Sequence, residues 1–128
     1  MNKLDKESVL GIAALLVHAA NIDEIYSDHE KDLIKNFIKS YLKNDEANEI
    51  LKKAEIIEKN SNQLLNFTNI IKQNSLEVKK DIIEHLWKVI ISDNTVDQYE
   101  SNLMRRICGL IYFPDKECAE IKLKMMNE

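Results

Sequence analysis

The sequence contains very little glycine and proline, with two Gly and one Pro in 128 residues. Because tight turns and hairpins depend on these two residues, a sheet protein with many turns is excluded. Apolar residues make up 45% of the chain and charged residues 31%, which is the balance of a globular protein that buries a core. The composition therefore predicts an all-α fold, folded as a single domain over residues 1–128.

Cysteine is also scarce, and the two that occur do not form a motif. Cys108 and Cys118 are ten residues apart, so they make neither a CxxC pair nor a zinc-type spacing. A chain of this length does not need disulfides to hold its fold. We therefore expect reduced thiols and a cytoplasmic location.

Long apolar runs and a strong positive charge are both missing. No stretch approaches the roughly 18 uncharged residues that a membrane span needs, and residues 1–8 carry four charges before any apolar run, unlike a signal peptide. Eighteen Lys and Arg against 22 Asp and Glu give a net charge of −4. We expect no nucleic-acid partner and no membrane insertion, while a membrane-associated protein partner stays open.

The chain does contain an acidic segment that occurs twice. Residues 23–30 (DEIYSDHE) and 93–100 (DNTVDQYE) are 70 positions apart, since 93 − 23 = 70. In both copies an acid opens the segment, a bulky apolar residue follows three positions later, and Glu closes it. Apolar residues also match in the flanking sequences, which predicts an internal duplication of a helix, acidic loop, helix unit over about 9–42 and 79–111.

Apolar spacing along the whole chain is helical and predicts a compact bundle of about seven helices. The predicted helices are about Asp5 to Ala20, Asp28 to Leu42, Glu46 to Lys59, Leu64 to Ile71, Ser75 to Ile90, Gln98 to Ile111, and a last helix capped by Asp115. The fifth helix has the most large apolar side chains, among them Trp87, and we expect it to form the centre of the core.

Both acidic segments contain a helix-capping pattern. Ser27 and Glu30 have the S-x-x-E spacing of a capping box, and Asp97 and Glu100 form its Asp-capped counterpart. Each cap would satisfy free amides of a first helical turn and contribute about 0.5–2 kcal/mol. These four residues therefore have a structural interpretation that needs no ligand.

Asp23 and Asp93 are not explained by capping. Each follows a helix, where a carboxylate near the terminal carbonyls is unfavourable by about 0.3–1 kcal/mol unless a turn or a cation compensates. Divalent cations such as Ca²⁺ bind six or more oxygens, and each segment supplies several, although neither has EF-hand spacing. The candidate metal ligands are Asp93, Asp97, Glu100, Asp23 and Glu30.

At these segments the sequence resembles the TerB-like family, a helical module named for bacterial tellurite-resistance proteins. The family pattern is an apolar helix ending in Ala-x-x-Asp-Gly, an apolar residue two positions later, and a Glu four positions further on, in two copies. This chain has Ala20, Asp23, Tyr26 and Glu30 in the first copy and Asp93, Val96 and Glu100 in the second. The family glycine is Glu24 in one copy and Asn94 in the other, and the match spans about Val9 to Leu123.

The resemblance implies an all-α domain of about seven helices, no established enzymatic chemistry, and acidic loop residues that bind a divalent metal such as calcium. The leading interpretation is a non-enzymatic interaction module with a protein partner or a second copy of itself. One alternative is a structural scaffold whose acidic loops are only caps. The other is a metal-dependent hydrolase using Asp93, Glu100 and a histidine, which would need a cleft beside the second loop.

Overall fold

The structure, a computed structural model, describes residues 4–21, 27–60, 65–91 and 98–127. Within these ranges it contains seven α-helices, one short 3₁₀ turn at Asn44–Glu46, and no strand, which confirms the predicted all-α fold. The helices are α1 (Lys6–Ala20), α2 (Asp28–Tyr41), α3 (Ala47–Asn60), α4 (Leu65–Lys72), α5 (Leu76–Ile91), α6 (Gln98–Leu110) and α7 (Asp115–Met126). Each predicted helix is present, and the predicted ends differ from the observed ones by at most one residue.

Helix α1 lies at the centre of the bundle. It contacts α2, α3, α4 and α5, and ten of its 15 residues are buried. Its sequence from Val9 to Ala20 is apolar on every side except at His18, and its alanines and Gly11 allow neighbouring helices to approach closely. The expectation that α5 would form the centre was wrong, because α5 buries seven of its 16 residues and keeps a lysine-bearing face outside.

Local capping fixes where several helices begin. The Asp5 carboxylate accepts a hydrogen bond from the Ser8 amide at 2.7 Å, and the Ser75 hydroxyl accepts one from the Val78 amide at 3.3 Å. The prediction that Asp115 caps the last helix was wrong. Pro114 occupies the cap position without a side-chain hydrogen bond, and Asp115 is the first helical residue, where its charge favours the helix dipole.

A Schellman motif ends α6 and turns the chain into α7. The Phe113 amide donates to the Cys108 carbonyl at 2.9 Å, and the Tyr112 amide donates to the Gly109 carbonyl at 3.4 Å. Tyr112 has φ 59°, a left-handed conformation usually taken by glycine, and its side chain is exposed. This turn brings the end of α6 against the start of α7.

None of the described helices combines the length and apolar character required to cross a membrane.

Candidate functional site

Two of the five predicted metal ligands lie in the described part of the chain, and three do not. Glu30 and Glu100 are described, whereas Asp23, Asp93 and Asp97 lie outside the described residues. Among the described residues, no group of three or more His, Cys, Asp or Glu side chains is arranged to hold a metal ion. The metal hypothesis therefore depends on the acids that are outside those ranges.

Glu30 forms the predicted capping box at the start of α2. Its Oε1 accepts hydrogen bonds from the Ser27 amide at 2.8 Å and from the Ser27 hydroxyl at 3.1 Å. In return, the Ser27 Oγ accepts from the Glu30 amide at 3.2 Å. One carboxylate oxygen of Glu30 is therefore already used by the helix end, which confirms the structural interpretation of this pair.

Glu100 occupies in α6 the position that Glu30 occupies in α2. Each is the third residue of its helix, and the two are 4% and 6% exposed. A buried carboxylate is unfavourable unless it is hydrogen-bonded or paired, and both residues do have interactions. The two acidic segments thus end in equivalent buried glutamates, as the sequence repeat suggests.

Glu58, which no sequence pattern singled out, holds the chain beside the first acidic segment. Its Oε2 lies 3.2 Å from His18 Nδ1, and its Oε1 accepts a hydrogen bond from the Asn21 side-chain amide at 3.2 Å. These contacts join the end of α1 to α3. Because the partners are 37 and 40 residues apart, no local spacing could have revealed them.

A second polar contact joins α2 to α5. The Tyr41 hydroxyl donates to Asp81 Oδ2 at 2.6 Å, and His85 Nδ1 lies 2.8 Å from the Asp81 carbonyl oxygen. The Phe37 ring packs against both Tyr41 and His85. Burial, followed by the bonded Asp81 carboxylate, raises the pKa of Tyr41 well above its ordinary value.

Asp81 has Lys79 and Lys80 beside it in the sequence, so a surface ion pair with a lysine would be the local expectation. Its carboxylate turns inward to Tyr41 instead, with His85 beside it at 3.5 Å. A tyrosine whose pKa is raised in this way is poorly suited to acid–base chemistry near neutral pH. The Tyr41, Asp81 and His85 set therefore serves to hold two helices together.

A groove lies between the start of α5 and the outer face of α7, with a cavity volume of about 430 Å³. Its apolar residues are Leu76, which is 54% exposed, and Ile121. Four glutamates and two lysines surround them: Glu77, Glu84, Glu117, Glu120, Lys80 and Lys124. We call this surface the α5–α7 groove. The formal charges of its two lysines and four glutamates add to −2.

The described geometry defines an all-α helical bundle with two buried glutamates at equivalent helix starts and an acidic groove on one side. The family model for "Tellurite resistance protein TerB" matches residues 9–123, nearly the whole chain. The protein therefore belongs to the TerB family, as the acidic segments suggested. No curated protein and no solved structure matches the chain.

Proposed function

We propose that this TerB-family protein is a non-enzymatic interaction module, and that the α5–α7 groove binds a basic amphipathic segment of a partner protein. The observation that carries the proposal is the combination of a solvent-exposed Leu76 with an excess of glutamates around it. An exposed leucine beside a concave surface gains free energy when a partner covers it. The glutamates determine which partners can do so.

Charge complementarity selects a basic partner rather than an acidic one or an anionic membrane. The net charge of −2 carried by the groove side chains attracts lysine and arginine side chains and repels phosphate or carboxylate groups. The attraction acts mainly on the association rate and weakens as salt screens it. A helix with apolar residues on one face and lysines beside them would match both features of the groove.

Synthetic helical peptides provide a direct test of the groove. One peptide carries leucine and lysine in an amphipathic pattern, and the matched peptide replaces each lysine by glutamate. We expect the basic peptide to bind the wild-type chain in calorimetry, with affinity that falls as salt rises. The acidic peptide should not bind.

Charge-reversed variants locate the binding surface. Glu117→Lys with Glu120→Lys should weaken binding of the basic peptide by about tenfold or more, because both side chains line the groove. The control Asp32→Lys with Asp45→Lys makes the same change of net charge at exposed positions on α2 and the 3₁₀ turn. Equal weakening in both variants, or equal binding of the acidic peptide, would contradict the proposal.

A second copy of the chain is the competing occupant of the groove. Sedimentation of the wild type and of Leu76→Ser over a range of concentrations distinguishes the two cases. A concentration-dependent dimer that Leu76→Ser abolishes would replace the basic partner with self-association. A monomer at all concentrations favours the partner protein.

Divalent metal binding at the acidic segments is a second candidate function. The observation that favours it is the burial of Glu30 and Glu100, the equivalent last residues of the two segments. Carboxylate oxygens are the ligands that calcium prefers. The family glycine is replaced by Asn94 in the second segment and by Glu24 in the first, and Asn adopts the left-handed conformation of glycine more readily than Glu does. The second segment, with Asp93, Asp97 and Glu100, is therefore the stronger candidate.

Thermal unfolding separates metal binding from capping. We expect calcium to stabilise the wild type by about 2.7 kcal/mol at a hundredfold excess over the dissociation constant, with chelator as reference. The Asp93→Asn, Glu100→Gln variant should lose this gain, and the control Asp32→Asn, Glu55→Gln should keep it. If no metal changes the wild type and the first variant melts earlier, the acids are caps and the scaffold interpretation replaces metal binding.

The proposal is non-enzymatic and cytoplasmic. The Tyr41, Asp81 and His85 set, which resembles a catalytic group by composition, is supported better as a structural contact by the raised pKa of its tyrosine. Both cysteines are free thiols, which suits a reducing compartment. The hydrolase alternative predicts metal-dependent turnover of ester substrates that Glu100→Gln abolishes, and its detection would overturn the non-enzymatic proposal.

A further inference from the structure

The two cysteines lie against each other at the junction of α6 and α7. Cys108 is in the last turn of α6, Cys118 is in the first turn of α7, and both are buried free thiols. The Schellman turn between them folds the chain back, and contact between the two side chains shifts the pKa of each thiol. Thiols this close need little movement to reach an S–S bond of about 2.05 Å.

Cys118 faces a cavity, and Cys108 lies behind it. The cavity, about 550 Å³ in volume, is lined by Cys118 together with Trp87, Asp115 and Lys122. Cys118 is 6% exposed, whereas Cys108 is fully buried. A small molecule entering from solvent therefore meets Cys118 first.

The surroundings of Cys118 favour its thiolate. Trp87 lines the same cavity as Cys118, and its buried indole N–H has no hydrogen-bond partner among the described residues. The indole N–H lowers the pKa of Cys118. Sulfur accepts hydrogen bonds weakly as a thiol and more strongly as a thiolate, so the indole is satisfied when Cys118 is ionised. The Lys122 Nζ lies 5.6 Å from the centre of the Trp87 ring and adds a positive charge.

The pKa values of the two thiols are shifted in opposite directions. The Cys108 hydrogen bond lowers the pKa of Cys118, with help from Trp87 and Lys122 and against burial and Asp115. The Cys118 contact and burial raise the pKa of Cys108. A more acidic thiol that lines a cavity, next to a fully buried thiol, is the arrangement of a redox-sensitive cysteine and its resolving partner.

We propose that Cys118 is a peroxide-reactive thiol whose sulfenic acid is resolved by Cys108, giving a reversible disulfide that links α6 to α7. The Cys118 thiolate attacks one oxygen of hydrogen peroxide, the O–O bond breaks, and the leaving hydroxide takes a proton to become water. The Cys108 sulfur then attacks the sulfenic acid sulfur, and the Cys108 proton leaves with the hydroxyl group as a second water. Peroxide is reduced by two electrons, and the two thiols are oxidised to one disulfide.

Peroxide titration of the reduced full-length chain tests the proposal. We expect intact-mass analysis to show a loss of two hydrogens per chain, with both thiols disappearing together under alkylation and returning after treatment with dithiothreitol. In Cys108→Ala the reaction should stop at Cys118 sulfenic acid, which dimedone traps. In Cys118→Ala, Cys108 should remain unmodified.

The wild-type measurement decides the proposal even if a variant fails to fold. Survival of both thiols at a peroxide dose that oxidises free glutathione would overturn it, as would disulfides that join separate chains. Sulfinic acid at Cys118 without any intramolecular disulfide would also overturn it, because Cys108 would then not resolve the sulfenic acid.

Trp87 is the positioning residue in this mechanism. Trp87→Phe keeps an aromatic ring but removes the N–H, so the pH profile of Cys118 alkylation should move to higher pH. The control Phe67→Leu alters a buried ring on α4, outside the residues that line the cysteine cavity, and should leave that profile unchanged. A profile that stays in place in Trp87→Phe would show that the indole does not stabilise the thiolate.

Discussion

Helices α1 and α7 represent two regions of the molecule that are built differently. Helix α1 is surrounded by α2, α3, α4 and α5 and is buried over most of its surface. Helix α7 packs on α5 and α6, and its buried residues are Cys118 and Ile121. The central region is defined by apolar packing, whereas the edge region combines exposed apolar residues, the acidic groove and the paired thiols.

The difference indicates where this fold can carry function. The buried side chains of α1 pack among four neighbouring helices, so most of its sequence is constrained by packing. The outer face of α7 can vary freely, since exposed substitutions change stability little. Both the α5–α7 groove and the cysteine pair include residues of α7, which makes the edge region the place to look for partners and regulation.

The largest expected contrast is between truncations in the two regions. Ile12→Ala in α1 should lower the free energy of unfolding by about 2–5 kcal/mol, because the side chain is fully buried and leaves a cavity. Leu123→Ala in α7 should change it by no more than about 0.5 kcal/mol, because that side chain is 60% exposed. Urea unfolding of both variants measures the two free energies. Equal losses of free energy of unfolding would contradict the distinction between the central and the edge region.

A smaller effect tests whether a polar contact helps to hold the central region. Tyr41→Phe removes the hydrogen bond to Asp81 while keeping the ring, and should cost about 1 kcal/mol, since Asp81 remains partly exposed. The folded-state pKa of Tyr41 is raised above its ordinary 10.0, so the wild type should lose stability as pH rises above 10. Tyr41→Phe should not show this loss of stability above pH 10. If the wild type and Tyr41→Phe lose the same stability at alkaline pH, ionisation of Tyr41 is not the cause.

The two glycines provide a matched pair, one in each region. Gly109→Ala in α6 should raise the free energy of unfolding by about 0.4–1 kcal/mol, because a methyl group there meets nothing and reduces the freedom of the unfolded chain. Gly11→Ala in α1 should gain less, because its methyl group would overlap the end of the Ile70 side chain and force it to move. Calorimetry of the wild type and the two variants measures the gain in stability from each alanine. A larger gain from Gly11→Ala would mean that the contact between Gly11 and Ile70 is not tight.

The smallest expected effect concerns the exposed start of α1. Hydrogen bonds from Ser8 lower the pKa of Asp5, so the contribution of its charge to stability is present above pH 3.8 and is lost as pH falls through the folded-state pKa. Asp5→Asn keeps a capping oxygen without the charge. The difference in free energy of unfolding between the wild type and Asp5→Asn should therefore shrink in acid. A difference that stays constant with pH would mean that the charge of Asp5 does not contribute to the cap.

The sequence was sufficient for features that depend on neighbouring residues. Helical spacing located all seven helices, and the S-x-x-E pattern identified the Ser27 and Glu30 capping box, because both are set by residues within one or two turns. Contacts between distant helices were not predictable in this way. Glu58 and Asp81 find their partners about 40 residues away, through packing that no local pattern encodes.

The identity of the central helix was missed for a related reason. Large side chains such as Trp87 suggested α5, whereas the centre is occupied by the helix with Ala13, Ala14 and Gly11, whose small side chains admit neighbours on all sides. For the candidate site, the repeat correctly placed Glu30 and Glu100 at equivalent helix starts. Whether metal binds beside them stays a prediction, since Asp23, Asp93 and Asp97 lie outside the described residues.

The central position of α1 also affects the order in which the protein can fold during translation. Because ribosomes synthesise chains from the N-terminus, α1 leaves the exit tunnel before the four helices that bury it. Its leucines, isoleucine and valines cannot be fully covered until residue 91, at the end of α5, has emerged. On the nascent chain, this segment is therefore the one that a chaperone would be expected to cover.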